Sequence, residues 1–176
     1  MIVALDANCL VAWASKKNQD NVARLDEMLR VVSSANGRVI IPMPCFAEYL
    51  VGADESTAGW MAALEKRKSV VLAPFDRRAA FECALMDRRA LGQGDKRGGR
   101  KDHWQHIKVD RQIIAIAKVH QAERVISEDS GLRSTALSIG LEATPLSELP
   151  LPDSALQTKL DLAWPSGGTE RAGGPS

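Results

Sequence analysis

The chain has 176 residues, 45% of them apolar and 26% charged, which predicts one soluble globular domain with a buried core. Lys and Arg number 23 against 22 Asp and Glu, which excludes polyanion binding through overall charge alone. No apolar run reaches the roughly 18 residues of a membrane span, and no basic segment opens a signal peptide, so we expect a cytosolic protein with no membrane partner.

The first half of the chain alternates apolar segments with amphipathic ones. The opening MIVAL predicts a buried strand, and the pattern from Asn8 to Ser15 favours a helix that begins beside Asp6. In the next segment, DNVARLDEMLRVVSSANG, apolar residues recur on one helical face and Gly37 is a natural stop. The elements predicted after it are a strand at RVIIP, helices at PCFAEYLVG and TAGWMAALEKRK, and a strand at SVVLAP.

The second half continues the same alternation. PFDRRAAFECALMDRRALG predicts a helix with Pro74 near its first turn and Gly92 just beyond its end. The elements predicted after it are a helix at VDRQIIAIAKVHQ, a strand at ERVIS, a short helix at DSGLRSTALSIG and an edge strand at LEATPL. Repeated strand–helix units with short connections predict a single α/β domain over residues 1–150, with about five parallel strands and helices on both faces.

Two segments depart from this alternation. Residues 92–108, GQGDKRGGRKDHWQHIK, are rich in glycine and basic residues and predict a mobile loop insertion that leads into the helix of Asp110. Residues 164–176, WPSGGTERAGGPS, have the composition of a disordered tail, because they cannot bury enough surface to offset their chain entropy.

Four acidic residues are candidate site residues because their predicted places converge on one rim of the sheet. Asp6 and Asp129 each follow a predicted strand, at the carboxyl ends where open parallel sheets place their sites. Glu48 and Asp110 lie early in helices that we expect to begin at the same rim. Taken singly, each acid also has a structural explanation, as a helix cap, a partner of a helix dipole or an exposed helical residue.

Convergence of the four carboxylates predicts a cation between them. Clustered carboxylates repel one another and destabilise a fold unless a positive charge holds them together. Oxygen ligands without Cys or His suit Mg²⁺ or Mn²⁺, which keep water in their coordination shell. Such a site polarises a phosphodiester, activates bound water and stabilises the leaving oxygen, so the pattern predicts a nuclease.

The segments IVALDANCLV, FAEYLVG, DRQIIAIA and VISEDSGL, in this order, resemble the acidic motifs of PIN domains. The size of the chain resembles that of the VapC-type toxins in this superfamily, and the resemblance covers roughly residues 1–146. It implies that four carboxylates bind Mg²⁺ or Mn²⁺ for RNA cleavage, and that two polar side chains orient them through hydrogen bonds. The carboxylates are Asp6, Glu48, Asp110 and Asp129, and the polar side chains are Asn8 and Ser127. The resemblance also implies a toxin–antitoxin pair, an antitoxin in the acidic groove, and a homodimer.

The basic loop raises a second functional question. Its cations have the chemistry to contact phosphates, and its tryptophan to stack on an unpaired base, as in proteins that hold single strands. The alternative is a solvated, flexible insertion, since Asp95 and Asp102 dilute the charge and the glycines make ordering costly. The candidate RNA contacts are Lys96, Arg97, Arg100, Lys101, Trp104 and Lys108.

Three other polar residues are not expected to be metal ligands. Glu128, beside Asp129, should point away on a turn. His103 and His106 are three residues apart in the predicted loop and have no third ligand there, so a shared metal is not expected.

Two other functions stay open from the sequence. One is a PIN-like module that binds RNA or a protein without cutting, although such a groove has no need of mutually repelling carboxylates. The other is a phosphatase with Asp6 as covalent nucleophile. Phosphatases of the haloacid dehalogenase kind usually have a second Asp two residues further on, where this chain has Asn8, and this weakens the case.

Overall fold

The computed structural model describes residues 1–156, without the side chains of residues 56–58, so the tail predicted at 164–176 lies outside the described residues. The strands are β1 (Ile2–Leu5), β2 (Arg38–Pro42), β3 (Val70–Ala73), β4 (Arg124–Ile126) and β5 (Glu142–Thr144). The helices are α1 (Ala7–Ser15), α2 (Gln19–Ser34), α3 (Met43–Val51), α4 (Glu55–Glu65), α5 (Arg77–Gly92), α6 (Trp104–Val119) and α7 (Ser130–Ser138). A short 3-10 turn, Leu146–Glu148, follows β5.

The five strands form one sheet in the order β3-β2-β1-β4-β5, and every neighbouring pair is parallel. The chain runs outward from β1 to β3, returns to place β4 on the free side of β1, and ends at the edge with β5. The point where the winding reverses therefore lies between β1 and β4, which is where open parallel sheets form their binding crevice. The predicted five-stranded parallel sheet and the edge position of its last strand are confirmed.

Burial along the central strands shows that both faces of the sheet are covered. Val39, Ile40 and Ile41 are consecutive residues of β2, and all three are fully buried. Because successive side chains of a strand point to opposite faces, burial of three in a row requires helices on both. The predicted α/β layering is therefore confirmed.

The start of α6 differs from the prediction. The helix begins at Trp104, so residues 104–108 are helical and the connecting loop spans only 93–103. The half-buried Trp104 and the buried Ile107 and Arg111 lie at helical spacing, a pattern that the surrounding polar residues conceal in the sequence.

The start of α5 also differs from the prediction. Pro74 lies outside α5, because the side chain of Asp76 caps the helix by accepting a hydrogen bond from the Ala79 amide.

Within residues 1–156, no helix combines the length and the apolar character that a bilayer crossing requires.

Candidate active site at the carboxyl ends of the strands

The four predicted acids line a single open cleft of about 630 Å³ at the carboxyl ends of the central strands. Asp6 follows β1 and Asp129 follows β4, while Glu48 extends from α3 and Asp110 from α6. The structure thus brings together carboxylates from four separate segments, and their role as metal ligands stays a prediction.

Asp6 is buried and held by several hydrogen-bond donors. Its Oδ1 accepts from the Ala7 amide at 2.7 Å, and its Oδ2 accepts from Ser127 Oγ at 2.6 Å and from Asn8 Nδ2 at 2.7 Å. The Cys45 thiol donates to Oδ1 at 3.6 Å. Charge-assisted bonds of this kind fix the orientation of a carboxylate before any ligand arrives.

Asn8 and Ser127 connect the ends of β1 and β4. Ser127 Oγ accepts from the Asp129 amide at 2.9 Å and from Asn8 Nδ2 at 3.3 Å, while Asn8 Oδ1 accepts from the Glu128 amide at 3.2 Å. Both side chains therefore orient Asp6 through hydrogen bonds and also hold the turn that carries Asp129. This is the geometry expected of groups that support ligands from behind.

Asp129 has two structural roles at once. Its Oδ1 caps α7 by accepting from the amides of Gly131 at 2.6 Å and Leu132 at 2.9 Å, while the exposed side chain also lines the cleft. Glu128 points away as expected, because its Oε1 accepts from the Ser147 amide at 3.0 Å.

Asp110 is paired with a cation that the chain itself supplies. Arg100 Nη1 lies 2.5 Å from Asp110 Oδ2, and the two side chains are only 11% and 10% exposed. Burial raises the pKa of the Asp110 carboxyl above its usual range; the Arg100 guanidinium opposes this shift, and the charges of Asp129 and Asp6 add to it. Arg100 also donates to Asp102 at 2.8 Å and to Thr135 at 3.4 Å.

Gly131 provides the space that the Arg100 guanidinium occupies. A Cβ added at Gly131 would lie 2.9 Å from Arg100 Nε and still closer to Cζ and Nη2. Any larger residue at this position of α7 would therefore displace the guanidinium from Asp110. No local sequence pattern indicated this contact.

His106 is a cleft residue that sequence reasoning missed. It lies on α6 one turn before Asp110 and lines the same cleft. The available signal was the spacing of four residues to Asp110, which places both on one helical face only if the helix extends back to Trp104. Glu48, on the exposed surface of α3, lines the cleft as well.

The chemistry of the cleft fits a hard divalent ion. Within residues 1–156, no three acidic, histidine or cysteine groups are close enough to share an ion as they stand. Mg²⁺, however, is often held by only one or two carboxylates with several waters. The acidic groups supply oxygen ligands of the preferred kind, and the Arg100 guanidinium shows that Asp110 already takes a cation. An ion at Asp110 would share this carboxylate with the Arg100 guanidinium or replace the guanidinium.

The loop over residues 93–103 is folded back on α6. Asp95 accepts hydrogen bonds from the amides of Arg97 and Gly99, at 2.8 and 2.5 Å. Lys96 Nζ lies 4.0 Å from the centre of the Trp104 ring. The ring predicted to stack on a base is thus already in contact with a lysine. Among the other predicted RNA contacts, Arg97 and Arg100 line a second pocket, whereas Lys101 and Lys108 lie on the exposed surface.

Comparison with known proteins identifies the fold. No protein-family model and no curated protein sequence matches the chain. A chain of VapBC-1 from nontypeable Haemophilus influenzae matches with a TM-score of 0.58 and 16% identity, covering 84% of this chain and 100% of that chain. A chain of VapBC2 from Rickettsia felis, bound to a DNA fragment from its promoter, matches with a TM-score of 0.54 and 13% identity over 82% of this chain and 98% of that one.

A third likeness is to DNA-bound VapBC from Salmonella typhimurium, with a TM-score of 0.52 and 16% identity over 83% of this chain and 98% of that chain. At such identities the likeness shows a shared fold. The fold is therefore the PIN-like α/β fold that the sequence motifs predicted.

Proposed function

We propose that this protein is an Mg²⁺- or Mn²⁺-dependent endoribonuclease and the toxin of a toxin–antitoxin pair. The observation that carries the proposal is the convergence of four carboxylates on one cleft at the reversal point of the sheet. The fold shared with chains of VapBC structures supports the toxin assignment.

Each of the six predicted site residues has a part in this chemistry. Asp6, Glu48, Asp110 and Asp129 would hold the ion, and Asn8 and Ser127 keep Asp6 oriented. Held there, such an ion would supply an activated water and polarise the phosphodiester. Asp6 needs no rearrangement because its donors already fix it, whereas a metal ion at Asp110 would compete with Arg100 for Oδ2.

The shape of the cleft and the fold likeness support the substrate and partners proposed. The cleft is open along the surface, so it can receive the interior of a single-stranded or structured RNA chain. VapBC complexes among the similar structures support a cognate antitoxin that would cover the acids. A homodimer is part of the same proposal.

A non-catalytic binding module is the second candidate. The ion pair between Arg100 and Asp110 favours it, because the pair compensates one of the two buried acids of the cleft without a metal. The phosphatase alternative has less support, since Asn8 donates its amide to Asp6 at 2.7 Å in the place of a second acid.

One assay distinguishes these functions. The purified protein is incubated with a mixed RNA pool in Mg²⁺, Mn²⁺ or EDTA, beside an Asp6→Asn variant, and a phosphomonoester is tested in parallel. We expect cutting that needs the divalent ion and falls about a hundredfold or more in the variant, since even groups behind a metal ligand contribute 10–100-fold. Asp153→Asn, an exposed acid outside the cleft, is the matched control and should cut normally.

The remaining outcomes contradict the nuclease proposal. RNA binding without cutting in either metal would support the binding module. Turnover of the phosphomonoester that is lost in Asp6→Asn would support the phosphatase. Cutting that persists in EDTA would exclude a divalent-ion mechanism.

A further inference from the structure

A second pocket, of about 150 Å³, lies next to the acidic cleft. It is bounded by α5, α7 and the 93–103 loop, with one residue of α6 contributing. Within the described part of the chain, four arginines and no carboxylate line it. We call it the arginine pocket, after Arg89, Arg97, Arg100 and Arg111.

Two of these arginines are fixed in place by the fold. The Arg111 side chain is 5% exposed, and its guanidinium donates to Asp87 at 2.6 Å and to the Lys96 carbonyl at 2.9 Å. Arg100 is held by its contacts with Asp102 and Asp110. A guanidinium has five N–H donors, so each retains donors for a ligand.

The other two arginines form no close ion pair within the described residues, although the charge of Asp95 partly offsets that of Arg97. Arg89 and Arg97 are exposed, and neither has an ion-pair partner within residues 1–156. Ser134 and Ser138 of α7 line the same space, and the Ser138 hydroxyl donates to the Thr135 carbonyl at 2.7 Å, which leaves Ser134 as the hydroxyl donor. Guanidinium groups beside hydroxyls form the donor set that recognises the oxygens of a phosphate.

The size and position of the pocket specify which phosphate it suits. Its volume is below the roughly 300 Å³ at which pockets for drug-sized ligands begin, so a phosphate group fits better than a whole nucleoside. The pocket and the acidic cleft meet at a single ion pair, because Arg100 lines the pocket and Asp110 lines the cleft. Among the described residues, only this ion pair separates the two spaces, so they adjoin each other at the surface.

We propose that the arginine pocket binds a backbone phosphate of the RNA strand next to the bond held in the acidic cleft. The identity of the strand as RNA rests on the proposed function, while the anion site rests on its own donors. Binding at this pocket needs no metal, so it can be measured separately from cutting.

The test measures binding of a fluorescent single-stranded RNA in EDTA by anisotropy, from 50 to 200 mM salt. The variant is Arg89→Gln/Arg97→Gln, which changes two exposed residues and leaves the Arg100–Asp110 pair intact. We expect the Kd to rise about tenfold and the salt slope to become shallower by about 1.4, since each lost contact with a single strand is worth about 0.7.

The matched control is Arg38→Gln/Arg67→Gln, which removes the same charge from exposed residues near the amino ends of β2 and β3. It should keep the salt slope of the wild type. An equal loss of affinity in both double variants would mean that only net charge matters and would overturn the proposal. Unchanged binding in Arg89→Gln/Arg97→Gln would also overturn it.

Two further arms separate related explanations. Binding of the same RNA is measured with a 5′-phosphate and with a 5′-hydroxyl. If Arg89→Gln/Arg97→Gln lost affinity only for the phosphorylated RNA, the pocket would bind a terminal phosphate, and the assignment to a backbone phosphate would be overturned. Cutting is measured separately in Mn²⁺. If RNA binding weakens in Arg89→Gln/Arg97→Gln but the wild type never cuts RNA, the nuclease proposal is refuted and the phosphate site stands. If the wild type cuts RNA but the double variant binds it normally, the phosphate site is refuted and the nuclease proposal stands.

Discussion

The two buried acids of the cleft are held in opposite ways. Asp6 is surrounded by neutral donors from α1, α3 and the residue after β4, and the pairing of β1 with β4 brings that last residue to it. Asp110 is paired with one guanidinium from an irregular loop. The comparison shows that Asp6 is fixed by neutral groups at the centre of the sheet. Asp110, by contrast, is held by a positive charge from a loop, which a metal ion could replace.

The largest effect is expected on stability, at the hydrogen bonds that hold Asp6. Ser127→Ala removes the hydroxyl that donates to Asp6 and accepts from the Asp129 amide, leaving buried partners unsatisfied. We expect the free energy of unfolding, measured in urea, to fall by about 3 kcal/mol. Ser134→Ala, an exposed serine of α7, should stay within about 0.5 kcal/mol of the wild type. Equal stability of the two variants would contradict a special contribution of the hydrogen bonds at Asp6 to folding.

The next effect concerns the ion pair between Arg100 and Asp110. Arg100→Gln removes the cation from Asp110, and Gly131→Ala displaces it while leaving the total charge unchanged. We expect the affinity for Mn²⁺, measured by calorimetry without RNA, to rise about tenfold in both, equivalent to about 1.4 kcal/mol.

Lys101→Gln is the control for this change, because it removes the same charge from an exposed neighbour in the loop. A rise as large as that of Arg100→Gln would attribute the effect to general electrostatics. Unchanged Mn²⁺ affinity in Gly131→Ala would show that Arg100 does not compete for Asp110.

The smallest effect is a pH dependence of stability at Asp110. Since the folded protein raises the pKa of this carboxyl, the folded state holds its proton more tightly than the unfolded chain does. Stability is therefore lost as pH rises from the ordinary Asp value near 4 through the raised folded pKa. Asp110→Asn should remove this loss, which is measured as the change in the free energy of unfolding in urea between pH 4 and 7. A wild-type profile parallel to that of the variant would contradict the shift.

Local patterns were enough to predict the strands and the two acids that follow them. Parallel strands bring their carboxyl ends to one rim, so Asp6 and Asp129 could be placed together from the alternation of elements alone. The structure adds what depends on the path of a loop. The contact between Arg100 and Asp110 needs the turn over residues 95–99 and the missing side chain of Gly131, and neither is encoded by a periodicity.

The hydrogen bond between Ser127 and Asp6 joins residues 121 positions apart. During synthesis, the first strand leaves the ribosome long before its neighbour β4 exists, so Asp6 has no hydroxyl to hold it. A nascent chain thus lacks a finished cleft until most of its length has been translated. With the proposed ribonuclease activity, this order of assembly would spare the message and the ribosome that are producing the chain.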